Sequence, residues 1–523
     1  MSGSLRKNPL EGDERKSALL SNAGAISAVA AAIEGTLGPK GLNCMLVDRF
    51  GEVTISNDGC AILERMEISH PAARLLLQTA KAQDAEVGDG TTTACLLASA
   101  LIAEGVGQVL SGVPVAKVVE GIKAGVALAL SELQLKSRPI CDFDDPRLKQ
   151  AALIAGREQA DIAEMVLAGA RIAGRQKLAE RGFRLADWVV AKEGAENEVF
   201  CGITLEKEPL NRQMPRSVSP ANIIIIDDAL EPEELEEEAL TTDAGFRRYR
   251  ELQESFRQGL GRLVESKANL VIVARGVSDL AEQVLGEAGM MVLRRVPARD
   301  LARVAAHTGA RPIKRGWLAR AEADPEQILG RAKRAYYDEK LEHLRILGGK
   351  GERLATILVG ASTREVRAER QRIAEDAASV VQQALLGGVV AGGGAAEMSL
   401  IPALERLRAE MGGMSAYGVD CLIAGLRRPL SQIAANAGFN PLEKVEQVRQ
   451  AITAGRPDTG IDCDSGESCD MFARGVVDAT TVKLQALRTA AEVAEAVLRI
   501  NTIIRKRDEG PPPAAREGKR VNE

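Results

Sequence analysis

Gly88-Asp89-Gly90-Thr91-Thr92-Thr93 runs straight into the helix-like stretch ACLLASALIAEGV. The two glycines allow a tight turn and close approach of backbone to a ligand. The amides and hydroxyls that follow stand at a helix start, where unpaired N–H groups and the helix dipole favour phosphate. Asp89 is a hard oxygen ligand, suited to Mg²⁺ carried in on those phosphates. The chain has no G-x-x-x-x-G-K-[ST] segment, so a P-loop is excluded and another phosphate-binding architecture is needed.

Three more acidic residues stand in distinctive contexts. Asp58 lies in Asn57-Asp58-Gly59, after a strand-like run, where by itself it reads as a turn residue. Asp376 falls inside a predicted helix, where a lone aspartate is usually a solvated charge. Asp478 precedes a helix and by itself reads as its N-cap. Leu37-Gly38-Pro39-Lys40-Gly41 closes the first helix, either as a plain stop or as backbone packed on a ligand. Gly392-Gly393-Gly394 holds more glycines than a cap requires and reads as a close backbone approach or a hinge.

The elements that must position these residues follow from patterning. At 523 residues the chain has room for about three domains. Aromatics make up only 3%, so the cores must be built from Ala, Leu, Ile and Val, which suits helices. Residues of about 14 to 136 read as helical, interrupted by a hairpin in NCMLVDRFGEVTISNDG; helices resume from Pro146 to Arg181. DWVVAKEG, VFCGITLEK, ANIIIIDD, ANLVIVARG and MMVLRRV are strand-like and alternate with helices, giving an α/β domain over about 209–354. Inside it, the acidic run EPEELEEE precedes a stripe of Phe246, Tyr249, Leu252, Phe256, Leu260 and Leu263. That stripe fits either a helix covering its own domain or an arm reaching outward. Helices return after Gly360, and the tail RKRDEGPPPAAREGKRVNE reads as disordered. The order helical, mixed, α/β, mixed, helical suggests one domain built from both chain ends, with two more nested inside it.

Net charge is −5 with interspersed signs, so no nucleic-acid footprint is expected. The eight cysteines form no C-x-x-C and the three histidines stand apart from them, which argues for buried thiols in a reducing compartment rather than a metal site. No apolar h-region opens the sequence and no run approaches a membrane span, so the expected location is cytoplasmic.

Taken together, TLGPKGLNCMLVD, ISNDGCAIL, HPAARLLLQTAKAQDAEVGDGTTTACLLA and VVAGGGAAE resemble the chaperonins in order and spacing, from about residue 14 to 505. The type looks like group II, the thermosome-like branch; a divergent bacterial member of this lid-bearing type, sometimes called group III, also fits the drift at Ser56-Asn57-Asp58-Gly59-Cys60. The resemblance implies a multidomain α plus α/β fold: equatorial 1–141 and 394–523 (with the disordered tail from about 506), intermediate 142–208 and 355–393, and apical 209–354 with a helical protrusion over about 231–265. It implies an ATPase coupled to protein folding. Asp89 would hold Mg²⁺, and Gly90, Thr91, Thr92 and Thr93 the phosphates. Asp58 and Asp376 would be catalytic, Asp376 orienting or deprotonating water. Leu37, Gly38, Pro39, Gly59, Gly393 and Asp478 would contact the nucleotide. A K⁺ ion beside the phosphates is usual in the family. Gly156-Arg157 matches a sensing loop that commonly reads Gly-Lys, and arginine's planar fork is no neutral replacement for a mobile lysine. Two stacked rings of eight or nine subunits, non-native client proteins and no separate co-chaperonin are further implications. Asp376 would reach the water only on hinge closure. A chaperonin-fold ATPase scaffold without folding activity is the rival reading; a small-molecule kinase with an unusual ATP loop is a distant second, since no second-substrate motif is discernible.

Overall fold

The computed structural model describes residues 9–51, 53–233, 242–318, 325–500 and 502. Helices from the two ends of the chain share one core. Pro9–Glu34, Pro71–Val87, Thr91–Leu110 and Val115–Lys136 pack with Ala395–Glu410, Ala416–Asn436, Pro441–Thr453 and Thr480–Leu498. Ile26, Leu76, Leu101, Leu422, Leu426, Ala490 and Leu498 lie at its centre, all essentially excluded from water. With almost no aromatics, the helices fill space by approaching closely. A side chain at Gly121 would collide with the Ser415 carbonyl, and one at Gly418 with the Val118 carbonyl, so Val115–Lys136 and Ala416–Asn436 cross at backbone contact.

Two stretches, Lys16–Glu34 and Thr91–Leu110, are in fact long and apolar enough to span a bilayer. This corrects the expectation that no run approaches that length. In the fold Thr91–Leu110 is a core helix: Ala94, Cys95, Ala98, Leu101 and Ile102 are fully buried. Lys16–Glu34 is less covered but seats Leu19, Ile26 and Ile33 in the same core.

Helices Pro146–Ala155, Ala160–Leu178 and Arg364–Gly387 stand between this core and a six-stranded sheet. Across the sheet the strands run 189–193, 355–361, 198–205, 343–347, 334–338, 217–218. Only 355–361 with 189–193 is a parallel pair. The expected domain boundaries at 208/209 and 354/355 fall within this sheet, which joins strands from both sides of each.

A smaller sheet follows, ordered 291–293, 270–273, 221–226, 330–332, with the first three strands parallel. Ile223 to Ile226 are all buried: Ile223 and Ile225 face one core, Ile224 and Ile226 the other. This explains why ANIIIIDD shows no alternation, since a strand covered on both faces is apolar throughout.

The helix Asp243–Glu265 carries the six-residue stripe, and burial along it is graded. Leu260 and Leu263 are sealed under the small sheet, Leu252 and Phe256 are half-buried, and Phe246 and Tyr249 are exposed. The helix is rooted at its C-terminal end, and its N-terminal half is largely exposed. Residues 234–238 of the acidic run, and the tail expected to be disordered from about 506, lie outside the described residues.

Candidate nucleotide site

Helix Pro71–Val87 ends at Gly88, whose φ of 69° is left-handed; Gly90, at φ 76°, begins helix Thr91–Leu110. The chain reverses between two helices within three residues, which only glycines at these φ values permit without strain, and Asp89 sits at the reversal. Gly90 supplies no side-chain cap, so the first amides of the next helix have no side-chain acceptor. Buried Gln83 braces the loop, donating to the Asp89 carbonyl at 2.9 Å and the Val482 carbonyl at 3.1 Å. Gly59 lies against this helix start: a Cβ there would sit 2.6 Å from the Thr92 hydroxyl.

Asp58 caps helix Gly59–Arg65, accepting from the amides of Ala61 at 2.8 Å and Cys60 at 3.3 Å. It also accepts from the Thr91 hydroxyl at 3.2 Å. The turn reading of Asp58 is corrected to a helix N-cap, and its carboxylate also belongs to the glycine–threonine loop. Asp376, on helix Arg364–Gly387, joins from a part of the chain nearly 300 residues away. Desolvation, then Asp89 and Asp58, raise its proton affinity well above the ordinary carboxylate value, and Arg157 partly offsets them. Asp89 is pushed up to about 6, chiefly by desolvation, with Asp478 and Asp58 adding and the Gly90 amide and Lys483 opposing. Asp376 is therefore not the solvated helical charge it resembles in isolation.

This is a cluster of like charges on half-buried residues. Among the described residues no group of three or more ligating side chains is arranged to hold a metal alone. One or two carboxylates beside free helix amides fit Mg²⁺ that brings phosphate oxygens with it.

On the far side, strand 389–391 pairs antiparallel with 477–479, placing Val390 opposite Asp478. The N-cap expectation for Asp478 is corrected: Ala479 occupies that position, without a side-chain bond. Asp478 instead accepts from Lys483 at 2.9 Å, and the same ammonium lies 2.9 Å from Glu397. Two carboxylates hold the Lys483 proton above the ordinary lysine range despite its burial. Gly393 and Gly394 have φ of 64° and 82°, and a Cβ on Gly394 would reach within 2.8 Å of the Leu430 amide. Gly38, at φ 85°, approaches Ile433, and the Leu37 carbonyl accepts from Asn436 at 2.8 Å. The loop of Leu37, Gly38 and Pro39 and the loop of Gly393 thus converge on the last turns of helix Ala416–Asn436.

Gly156 ends helix Pro146–Ala155, and a Cβ there would lie 2.7 Å from the Ala152 carbonyl and 3.8 Å from Ala377. Arg157 and Glu158 follow with left-handed φ of 51° and 61°. The Arg157 guanidinium pairs with Glu369, on the helix that carries Asp376. Glu369, Arg372, Gln83, Lys483 and Glu397 were not singled out from sequence. Arg372 had one available signal: it stands four residues before Asp376, on the same helical face.

The model of the TCP-1/cpn60 chaperonin family matches residues 29–508. The chain belongs to that family. It is 32% identical over 495 residues to a thermosome subunit of Pyrococcus abyssi, covering 91% of this chain and 89% of the relative. To the thermosome subunit alpha of Thermoplasma acidophilum it is 31% identical over 530 residues, covering 97% and 95%. A crystal structure of a group III chaperonin in the open state matches with a TM-score of 0.85 and 42% identity, covering 94% of this chain and all of that one. The chain is a group II-type chaperonin with the chaperonin fold, and its resemblance to the group III structure agrees with the drift at Ser56 to Cys60.

Proposed function

We propose that this chaperonin is an ATP-dependent folding machine. The observation that carries the reading is the gathering of Asp58, Asp89 and Asp376 at the uncapped start of helix Thr91–Leu110. The amides of Thr91 to Thr93 and their hydroxyls take the phosphates. Asp89 holds Mg²⁺, which when bound neutralises phosphate charge and fixes the nucleotide. Asp58 holds the Thr91 hydroxyl and orients the loop. Asp376 accepts a hydrogen bond, and then a proton, from the attacking water; its raised proton affinity makes it a stronger base than an ordinary carboxylate. Leu37, Gly38, Pro39, Gly393 and Asp478 border the nucleoside. K⁺ beside the phosphates follows from the family.

Movement of helix Arg364–Gly387 against the glycine–threonine loop would couple hydrolysis to domain closure. Asp243–Glu265 would then serve as part of a built-in lid over a double-ring chamber, without a separate co-chaperonin. Non-native proteins would be held in the cytoplasm through exposed apolar patches. Asp376→Ala should retain ATP binding and lose turnover by about 10²–10⁴-fold, and the parent should rescue a denatured enzyme only with ATP. Rings imaged without ATP-dependent rescue would favour the scaffold reading, and unchanged turnover in Asp376→Ala would remove the catalytic assignment.

A further inference from the structure

Arg372, Asp376 and Ser379 fall at spacings of four and three on helix Arg364–Gly387 and share one face. Each meets the phosphate-loop side of the helical core. Ser379 lies against Gly88, where an added Cβ would overlap its hydroxyl. Asp376 is within electrostatic reach of Asp89 and Asp58. Arg372 donates from Nη1 to the Ser56 hydroxyl at 2.8 Å, and its Nε lies 3.8 Å from Asp58 Oδ2.

The stripe has an electrostatic problem. Its central residue carries a carboxylate toward two others, so bringing this face down is opposed by like charge. Arg372 is the group on the same face that supplies opposite charge to Asp58. Its guanidinium is about three-quarters buried and is also held by Glu369 at 3.4 Å, while Glu369 pairs with Arg157. The network runs Arg157–Glu369–Arg372–Asp58, from the sensing segment to the loop that binds Thr91.

We propose that Arg372 is a positioning residue for ATP hydrolysis: it docks the helix that bears Asp376 onto Ser56 and Asp58, one turn from the carboxylate that acts on water. The assignment rests on the ATPase reading above. Arg372 acts through Asp58 and through the seating of its own helix. It therefore affects the approach of Asp376 to the reacting atoms more than the affinity for nucleotide. The forked guanidinium satisfies Ser56, Asp58 and Glu369 together, whereas lysine at this place keeps the charge but has one nitrogen to share among them.

The test uses the full-length assembled protein, with steady-state ATP hydrolysis, ATP affinity and thermal unfolding measured for the parent, Arg372→Ala, Arg372→Lys and Asp376→Ala. We expect Arg372→Ala to lower kcat about ten- to a hundredfold, with ATP affinity changed less than about threefold and assembly retained. Arg372→Lys should recover a substantial part of kcat. Parental kcat in Arg372→Ala overturns the proposal. So does equal loss of kcat and affinity with no recovery in Arg372→Lys, which marks general structural damage. If the parent hydrolyses ATP and Asp376→Ala does not, either failure belongs to Arg372 alone. A parent without turnover, or Asp376→Ala with full turnover, removes the ATPase reading and this proposal with it.

Discussion

Gly88 lies directly against Ser379, so closely that a side chain on Gly88 would overlap the serine hydroxyl. The contact joins the turn before Asp89 to the helix bearing Asp376. Alanine at Gly88 meets two obstacles: a left-handed φ of 69° that costs an L-residue about 1–2 kcal/mol, and the collision itself. Gly88→Ala should lower stability modestly and turnover at least about tenfold, because the Asp376 helix is lifted. Adding Ser379→Gly should return part of the turnover. ATPase assays on the single and double variants check this, and normal turnover in Gly88→Ala would show that the docked contact is dispensable.

Asp89 makes the metal-free protein sensitive to pH. Its proton affinity in the fold corresponds to about 6, against an ordinary 3.8. A raised carboxylate stabilises the fold fully below its ordinary value, and that contribution is lost as pH rises through 6. In chelator, the parent should therefore lose stability between about pH 4 and pH 7. Asp89→Asn should remove much of that loss and be more stable at neutral pH by roughly 1–3 kcal/mol. It should also gain less from Mg²⁺ with ATP. Denaturation curves at pH 5 and pH 7.5 decide, and parallel pH dependence in both proteins would count against a desolvated Asp89.

Lys483 compensates two carboxylates at once. Glu397 is almost fully enclosed and Asp478 largely so. Lys483→Met leaves both without a counter-charge and should cost about 3–5 kcal/mol, as removing one partner of a buried pair does. Combining it with Glu397→Gln should recover part of the loss. Thermal unfolding of the three variants measures it. A loss below about 0.5 kcal/mol in Lys483→Met would mean that water reaches the pair.

The graded burial of helix Asp243–Glu265 separates its root from its tip. Leu260→Ala removes a fully buried side chain and should destabilise by about 2–5 kcal/mol. Phe246→Ser with Tyr249→Ser changes exposed positions and should stay within about 0.5 kcal/mol for each. If the tip serves the lid, the double variant should expose ATP-enclosed clients to protease while hydrolysis continues. Full client protection by the tip variant would confine the helix to covering its own domain.

Sequence alone fixed the glycine–threonine loop, because left-handed turns, helix-start amides and a carboxylate are local demands written in six adjacent residues. It also fixed the helical and α/β sections, since their periodicity is local, and the family, since several such motifs recur in order. Tertiary structure decided what Asp58, Asp376 and Asp478 do. Read singly they were a turn residue, a solvated charge and a cap. In the fold Asp58 becomes a helix cap and joins Thr91, Asp376 is half-buried within the field of other carboxylates, and Asp478 gives up the cap for Lys483. Arg372 was hidden for the same reason. An arginine on a helix has no local signature of its partner, and electrostatic meaning arises only when distant segments of chain exclude water from the space between them.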